Sequence, residues 1–337
     1  MFANDLKVAI IGRLYYLTIA YDTSADIGIK DLIGEERQGA MYFNILRPWI
    51  KWDAVYFMHI LTKGYVYEQE FAFFPMIAIF IEKNHLPLVT WILCQISVVL
   101  SAVIFSRLTM LIFKDKKFSQ ISLYIYVFNP ANAFLSGMYT ECLFNMFSMT
   151  GLFLFYQRKN FLSALCFLCS SLTRSNGIVL AGFFIFAALH REIPVYKALI
   201  LCFTVFIGFI SVLWKGYSEF CDDVSAREWC SHRIPNIYSF VQSHYWYTKS
   251  LIFCRDVGLF KYYETKQIPN FAIASPVLLF SLYSIYRFII QYPKLFFSLG
   301  FRKDKGIPAY MNVVLPHIYL WLFLTIYSIL LIHIQVI

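Results

Sequence analysis

The chain has 337 residues, of which 59% are hydrophobic, 20% are aromatic and only 15% are charged. Because about 25% of the residues of an average soluble domain are charged, this composition excludes an ordinary water-soluble globular protein. The formal net charge of +9 comes from basic residues dispersed between apolar runs, which argues against a nucleic-acid-binding surface.

Apolar runs recur along the chain, and about 20 residues suffice for one helical crossing of a bilayer. The first run, Leu6–Tyr21, carries Arg13 and lacks a signal-peptide cleavage site, so we expect an uncleaved span. The run Phe71–Ile81 contains Pro75 and is too short to cross, which favours a re-entrant or interfacial segment. The other predicted crossings are Leu88–Phe113, Phe118–Gly137, Glu141–Tyr156, Phe161–Leu172, Gly177–Leu189, Pro194–Trp214, Phe271–Ile290 and Val313–Ile337. We therefore predict an all-α polytopic integral membrane protein with about nine crossings, built as one membrane-embedded domain over residues 1–337.

Short loops rich in lysine and arginine orient such a chain, because they stay in the cytoplasm. These loops are Lys114–Lys117, Arg158–Lys159, Arg191 and Arg302–Lys305. With them on the cytoplasmic side, the unusual polar segments emerge together on the opposite face. These segments are the loop 22–70, Asn129–Glu141, Thr173–Asn176 and the loop 215–270. A site at a membrane surface is expected to show such a one-sided distribution.

Residues 47–75, RPWIKWDAVYFMHILTKGYVYEQEFAFFP, combine charges with aromatic side chains and suggest an active-site loop. Asp53, beside Trp52, is placed to remove a proton from a substrate hydroxyl, although a hydrated loop aspartate gives the same pattern. Two further carboxylates precede the apolar run and have the same ambiguity, Glu68 and Glu70.

Arg47 and Arg174 are candidate phosphate-binding residues, because a guanidinium group matches phosphate oxygens in a bidentate fork. Lys51 adds a positive charge to the same loop as Arg47. Arg174 separates two apolar runs, where a snorkelling or carboxylate-paired arginine is an equally good explanation. Tyr139 and Glu141 are further candidates, and the alternative for both is a structural kink between helices.

The long loop 215–270 contains aromatic and amide side chains. These suit a sugar-binding site, because aromatic faces pack on sugar CH groups and amides form hydrogen bonds with sugar hydroxyls. The candidates are Tyr238, Gln242, Tyr245, Trp246 and Tyr247, with Asn176 and Asn270 as further amides. An interfacial aromatic belt would look the same. Cys221 and Cys230 would form a disulfide if their loop faces an oxidising compartment. The histidines show no paired metal-ligand spacing, so we expect no metal site.

Several sequence blocks resemble, in order, the successive motifs of the glycosylphosphatidylinositol (GPI) mannosyltransferase 2 family. The blocks are the stretch 47–75 quoted above, FNPANAFLSGMYTECLF, SSLTRSNG, and WCSHRIPNIYSFVQSHYW followed by KQIPNF. Several motifs in one order are more specific than any single motif. The chain is shorter than the family leads us to expect, and it ends in HIQVI without the expected continuation.

The resemblance implies a GT-C glycosyltransferase of the endoplasmic-reticulum membrane that adds the second mannose to the GPI precursor. Its donor would be dolichyl-phosphate-mannose, used on the lumenal side to form an α-1,6 linkage with inversion on the first mannose of the acceptor. The essential acidic residue of the family's first lumenal loop corresponds to Asp53 in the pair Trp52-Asp53. No cofactor is implied beyond the donor substrate. The implied partners are the mannosylated GPI lipid and membrane lipids, with a small accessory membrane subunit as a further candidate.

Two other functional classes fit a polytopic membrane protein. Another lumenal lipid-linked-sugar transferase would have the same architecture and the same kind of site. A lipid or solute transporter would distribute polar residues along a pathway and often contains related halves. Here the polar residues concentrate on one face and no internal repeat is evident, which favours a transferase.

Overall fold

A computed structural model of the chain describes residues 2–19, 46–50, 53–79, 86–221, 227–244, 265, 268–302 and 305–331. Within these ranges the protein is helical and has no β-strand, which confirms the all-α prediction for this part of the chain. The α-helices are α1 (Phe2–Ile19), α2 (Asp53–Lys63), α3 (Met76–Ile79), α4 (Leu86–Phe113), α5 (Lys116–Val127), α6 (Glu141–Tyr156), α7 (Asn160–Thr173), α8 (Gly182–Leu189), α9 (Val195–Phe220), α10 (Ile237–His244), α11 (Ile268–Gln291), α12 (Pro293–Phe297) and α13 (Tyr310–Leu331). The 3₁₀ segments are Arg47–Trp49, Glu68–Ala72, Pro130–Ser136, Ser175–Ala181 and Glu228–Ser231.

Four of the described helices are long and apolar enough to cross a membrane. The spans are Leu88–Phe113, Val195–Phe220, Ile268–Gln291 and Tyr310–Leu330. Two shorter helical segments are also apolar: Asn160–Thr173, and Ser175–Leu189, which joins the 3₁₀ segment Ser175–Ala181 to α8. The helices therefore fit a membrane protein, but the predicted number of about nine crossings is not confirmed.

The predicted crossing Phe118–Gly137 is divided into two pieces. Helix α5 ends at Val127 after 12 residues, which is shorter than the roughly 17 residues that a crossing needs. Pro130 explains the break, because proline disfavours the helical conformation of the preceding residue. Asn129 is extended accordingly, and its side chain accepts a hydrogen bond from the Ala131 N–H at 2.9 Å. The 3₁₀ segment Pro130–Ser136 begins at this cap.

The two predicted polar loops are partly helical where the structure describes them. Helix α9 continues to Phe220, beyond the predicted end of that span at Trp214, and α10 lies inside the predicted loop 215–270. In the first loop, α2 and the 3₁₀ segment Glu68–Ala72 are followed by the short helix α3. Whether residues 71–81 enter the bilayer stays a prediction, since the description stops at residue 79.

The segment from Leu46 to Ile77 packs inside the helix bundle. One face of α2 is buried against α4 and α6, and the buried side chains of this cluster include Ala54, Phe57, Met58, Cys94, Val98, Cys142 and Leu143. A second cluster joins the 3₁₀ segment that follows α2 to α9 and α10 through Phe71, Phe74, Val212, Trp229, Ile237 and Val241. Two carboxylates of this segment, Glu68 and Glu70, are buried.

Two glycines allow a close approach at the end of α7. A Cβ atom on Gly208 would lie 2.8 Å from the Leu168 carbonyl oxygen, so only glycine lets α9 cross α7 this closely. A Cβ atom on Gly177 would lie 2.5 Å from the backbone of Ser170 and Ser171. The 3₁₀ segment Ser175–Ala181 therefore folds back on α7, and this reversal presents Arg174 at the helix end.

Candidate active site

A cavity of about 310 Å³ lies where several helix ends meet. Its wall comes from the start of α2, the turn after the 3₁₀ segment Glu68–Ala72, the start of α6, the end of α7, and α10. The polar side chains of this lining are Asp53, Thr140, Glu141, Thr173, Arg174, Ser175, Tyr238 and Gln242. Helix packing thus brings together five of the residues that the sequence nominated: Asp53, Glu141, Arg174, Tyr238 and Gln242.

Asp53 is the first residue of α2, where the positive end of the helix dipole favours a carboxylate. Its side chain lies at the cavity mouth and keeps contact with solvent. Partial burial against the cavity wall nevertheless raises the pKa of Asp53 above its usual value, and the negative charge of Glu141 acts in the same direction. Arg174 opposes this effect and lowers the pKa. A carboxylate with a raised pKa is a stronger base while it remains ionised.

Arg174 and Glu141 form an ion pair on the cavity wall. Arg174 also caps α7, because its N–H donates to the Ser170 carbonyl oxygen at 2.9 Å. The two side chains are 32% and 43% exposed, so both still face the cavity and the solvent. The structure therefore gives Arg174 a carboxylate partner and also leaves it accessible to an anion.

A hydroxyl pair lies on the neighbouring wall. Ser175 Oγ and the Tyr238 hydroxyl are 2.8 Å apart and share a hydrogen bond. Burial raises the pKa of Tyr238, so its phenol keeps its proton and can donate a hydrogen bond. The Tyr238 ring packs edge-on against Phe74 at 5.6 Å and Phe209 at 5.8 Å between ring centroids. These contacts fix a polar hydroxyl at the end of a rigid aromatic side chain.

Glu70 is buried and bonds within its own loop rather than lining the cavity. It accepts hydrogen bonds from the Val66 N–H at 2.7 Å and the Tyr67 N–H at 2.9 Å. Its other carboxylate oxygen pairs with the buried His59 ring, which belongs to α2. Glu70 therefore connects the 3₁₀ segment Glu68–Ala72 to the helix that begins with Asp53.

Glu68 connects the first loop to the long loop. It accepts a hydrogen bond from the indole N–H of the fully buried Trp229 at 3.0 Å, and Arg227 Nε lies 3.5 Å from the same oxygen. The neighbouring Cys230 is joined to Cys221 by a disulfide with a Cα–Cα distance of 5.6 Å. This link holds the chain close to the end of α9 just before α10 brings Tyr238 and Gln242 to the cavity.

The other predicted site residues do not line the cavity within the described ranges. Tyr139 is half-buried against the α2 cluster, Asn176 is exposed beside Ser175, and Asn270 is half-buried in α11. The backbone of Arg47 forms a 3₁₀ turn, but its side chain lies outside the description. Five further predicted residues also lie outside the described residues: Lys51, Trp52, Tyr245, Trp246 and Tyr247.

Sequence reasoning did not nominate Thr140, Thr173 or Ser175 as site residues. Each directly precedes or follows Glu141 or Arg174 in the chain, and that adjacency was the available signal. The three hydroxyls give the cavity hydrogen-bonding groups suited to a polyhydroxylated ligand. In the described ranges, no group of three or more His, Cys, Asp or Glu side chains is arranged to hold a metal ion.

Comparison with known proteins shows which family the sequence resembles. A sequence model described as mannosyltransferase (PIG-V) matches residues 40–337. The chain is 28% identical over 307 residues to the GPI alpha-1,6-mannosyltransferase 2 of Cricetulus griseus, covering 76% of this chain and 60% of that protein. It is also 28% identical over 310 residues to the GPI mannosyltransferase 2 of Schizosaccharomyces pombe, covering 82% of this chain and 64% of the relative.

A third relative, the GPI mannosyltransferase 2 of Candida albicans, is 26% identical over 323 residues, with 86% of this chain and 78% of that protein covered. The chain spans about 60% of the length of the Cricetulus griseus relative. No solved structure matches the chain.

Proposed function

The chain belongs to the mannosyltransferase (PIG-V) family, and on that basis we propose that it transfers mannose to a GPI precursor. The names of the similar proteins from Cricetulus griseus and Schizosaccharomyces pombe support this activity. The donor is dolichyl-phosphate-mannose, and the acceptor is the first mannose of the precursor. The product is an α-1,6 linkage formed with inversion. The reaction takes place in the membrane of the endoplasmic reticulum.

The proposed architecture is that of a GT-C glycosyltransferase with about nine crossings and with the cavity on the lumenal face. The distribution of charge supports this orientation, because the cavity residues come from the polar segments that the positive-inside rule places opposite the basic loops. Glu141 begins α6 and Arg174 ends α7, so consecutive antiparallel helices bring both residues to the same end of the bundle.

The observation that carries the proposal is that Asp53 and Arg174 face one cavity of about 310 Å³. An inverting transfer needs a base on the side of the attacking hydroxyl and a stabilised leaving group on the other. Asp53 accepts the proton of the acceptor 6-hydroxyl while the oxygen of that hydroxyl bonds to the anomeric carbon of the donor mannose. The bond from that carbon to the phosphate oxygen breaks, and its electron pair leaves with dolichyl phosphate.

Arg174 stabilises the negative charge that develops on the departing phosphate. Phosphate is already a good leaving group, so the reaction does not require a protonating acid. Arg47 and Lys51, from the loop that leads to α2, remain candidates for further phosphate contacts. Tyr238 and Gln242 line the same cavity and offer hydrogen bonds to sugar hydroxyls. Tyr245 and Trp246 follow in the sequence, and their aromatic rings are the proposed packing surface for the same sugar.

The decisive experiment expresses the chain in cells that lack their second GPI mannosyltransferase and identifies the accumulating GPI lipid by mass spectrometry. We expect the one-mannose precursor to be converted to a two-mannose product. Persistence of the one-mannose lipid, with the protein present in the membrane, would reject the proposed acceptor.

The matched test within the same cells replaces Asp53. We expect Asp53→Asn to reach the membrane at normal levels and to lower mannosyl transfer by about 10²–10⁴, the range for loss of a general base. Glu219→Gln is the control, because Glu219 is exposed and its ion pair within the described part of the chain is with Lys215, on the surface of α9. Near-normal transfer by Asp53→Asn would remove Asp53 from the mechanism.

A further inference from the structure

A second cavity, of about 430 Å³, lies at the other end of the helix bundle. It opens between the ends of α4, α6 and α8 and the beginning of α13, and its wall includes Phe113, Phe155, Phe186 and Val313. Helix α6 separates the two cavities, because Glu141 at its start lines the first and Tyr156 at its end lines the second. A helix of 16 residues is about 24 Å long, so the second cavity is remote from Asp53.

The rim of this cavity is basic. Lys114 and Arg158 follow the last residues of α4 and α6, line the cavity and are exposed. Arg158 forms an exposed ion pair with Glu192, and an exposed pair of this kind is weak. Further exposed basic residues lie in the loops that the positive-inside rule places on this side of the membrane: Lys116, Lys117, Lys159, Arg191, Arg302 and Lys305. The combination is an apolar interior beneath a positively charged mouth.

Two features of α13 add polar groups to the wall. The helix begins at Tyr310, so the positive end of its dipole is at the cavity. The side-chain oxygen of Asn312 is buried and accepts no hydrogen bond from the described residues. A ligand that carries both a negative charge and a hydrogen-bond donor would satisfy both features.

We propose that this cavity binds one anionic glycerophospholipid of the surrounding bilayer. Its phosphate lies between Lys114 and Arg158, and its acyl chains follow the aromatic wall. Charge complementarity selects this occupant, because basic pockets between transmembrane helices recognise anionic headgroups. An apolar ligand would make no ionic contact with the charged rim, and a soluble anion would make no contact with the apolar interior. The bound lipid connects α13 to the ends of α4, α6 and α8.

The test uses the purified full-length protein in detergent and measures bound lipid by native mass spectrometry as palmitoyl-oleoyl phosphatidylserine or phosphatidylcholine is added. We expect phosphatidylserine to bind about tenfold more tightly. Lys114→Gln combined with Arg158→Gln should lower its affinity by about tenfold, because each basic residue near an anionic headgroup contributes about 1 kcal/mol and Glu192 already offsets part of the Arg158 charge.

The matched control removes the same number of charges beside the cavity, in Lys116→Gln combined with Lys117→Gln, and should change the affinity less than twofold. Ala309→Trp tests the space independently, because Ala309 is exposed at the cavity and a large side chain there blocks it. We expect this variant to lose phosphatidylserine binding with all charges present. Asp53→Asn should bind phosphatidylserine as the unchanged protein does, which separates this test from the proposed transfer reaction.

Three results would overturn the proposal. Equal binding of phosphatidylcholine and phosphatidylserine would show that charge does not select the lipid. Equal losses in the two charge pairs would show that the whole basic face attracts lipid without a defined site. Unchanged phosphatidylserine binding in Ala309→Trp would show that the lipid lies outside the cavity.

Discussion

Replacing Arg174 by Gln should reduce catalysis far more than it reduces stability. The change breaks the pair with Glu141, whose partners are 32% and 43% exposed, and a pair this exposed contributes about 1 kcal/mol or less. In the proposed mechanism the same change also removes a donor to the departing phosphate, and losing one such donor lowers turnover by about 10²–10³, or about 2.7–4 kcal/mol in the barrier. The two effects should therefore differ by at least about 1.7 kcal/mol.

Glu141→Gln is the matched control, because it breaks the same ion pair and leaves the guanidinium in place. Both variants should unfold at nearly the same temperature as the unchanged protein in detergent. Mannosyl transfer is then measured with dolichyl-phosphate-mannose varied at fixed acceptor and with acceptor varied at fixed donor. Arg174→Gln should lower donor use by the stated factor, whereas Glu141→Gln should lower it less than tenfold. Arg174→Lys should retain the charge but weaken donor use more than acceptor use.

Equal losses of transfer in Arg174→Gln and Glu141→Gln would refute the reasoning. That outcome would mean that Arg174 acts by holding α6 against α7, since the ion pair is the one element both variants remove. Equal weakening of donor and acceptor use in Arg174→Lys would point to the same structural role.

Two further predictions follow from the contacts around the cavity. Glu141 raises the pKa of Asp53 and Arg174 lowers it, and only the ionised Asp53 carboxylate accepts a proton. The acidic limb of the profile of transfer rate against pH should therefore move to lower pH in Glu141→Gln and to higher pH in Arg174→Gln. Transfer rates measured over a pH series would show both shifts. Trp229→Phe removes the indole donor to Glu68 and should lower the free energy of unfolding by about 1–3 kcal/mol. Thermal or denaturant unfolding in detergent measures this change. An unchanged stability would mean that this hydrogen bond does not stabilise the contact between the two loops.

The sequence predicted that Glu141 and Arg174 face the same side of the membrane, because charged loops fix the orientation of each helix. It did not predict that they pair with each other. Their contact depends on how closely α6 packs on α7, and Gly151 allows that approach, because a Cβ atom there would lie 2.5 Å from the Phe167 ring. A glycine in an apolar run gives no indication of which helix will approach it.

The same limit applies to the carboxylates of the first loop. Asp53, Glu68 and Glu70 look alike in the sequence, but their partners lie at very different distances along the chain. Glu70 bonds to nearby backbone groups, whereas Glu68 bonds to Trp229, which is 161 residues away. The number of crossings was harder to predict for a local reason, because Pro130 divides an apolar run that composition alone treats as continuous.

In the proposed reaction, Glu141 competes with the donor phosphate for Arg174. Without substrate, the carboxylate pairs with Arg174, which weakens the attraction of the accessible guanidinium for other anions. On the proposed mechanism, the same carboxylate pairs again with Arg174 after transfer and so weakens the binding of the dolichyl phosphate product. Tight binding of the leaving group and its rapid departure are opposing requirements in every group-transfer reaction. A counter-ion beside the phosphate-binding arginine offers a way to meet both in a single turnover.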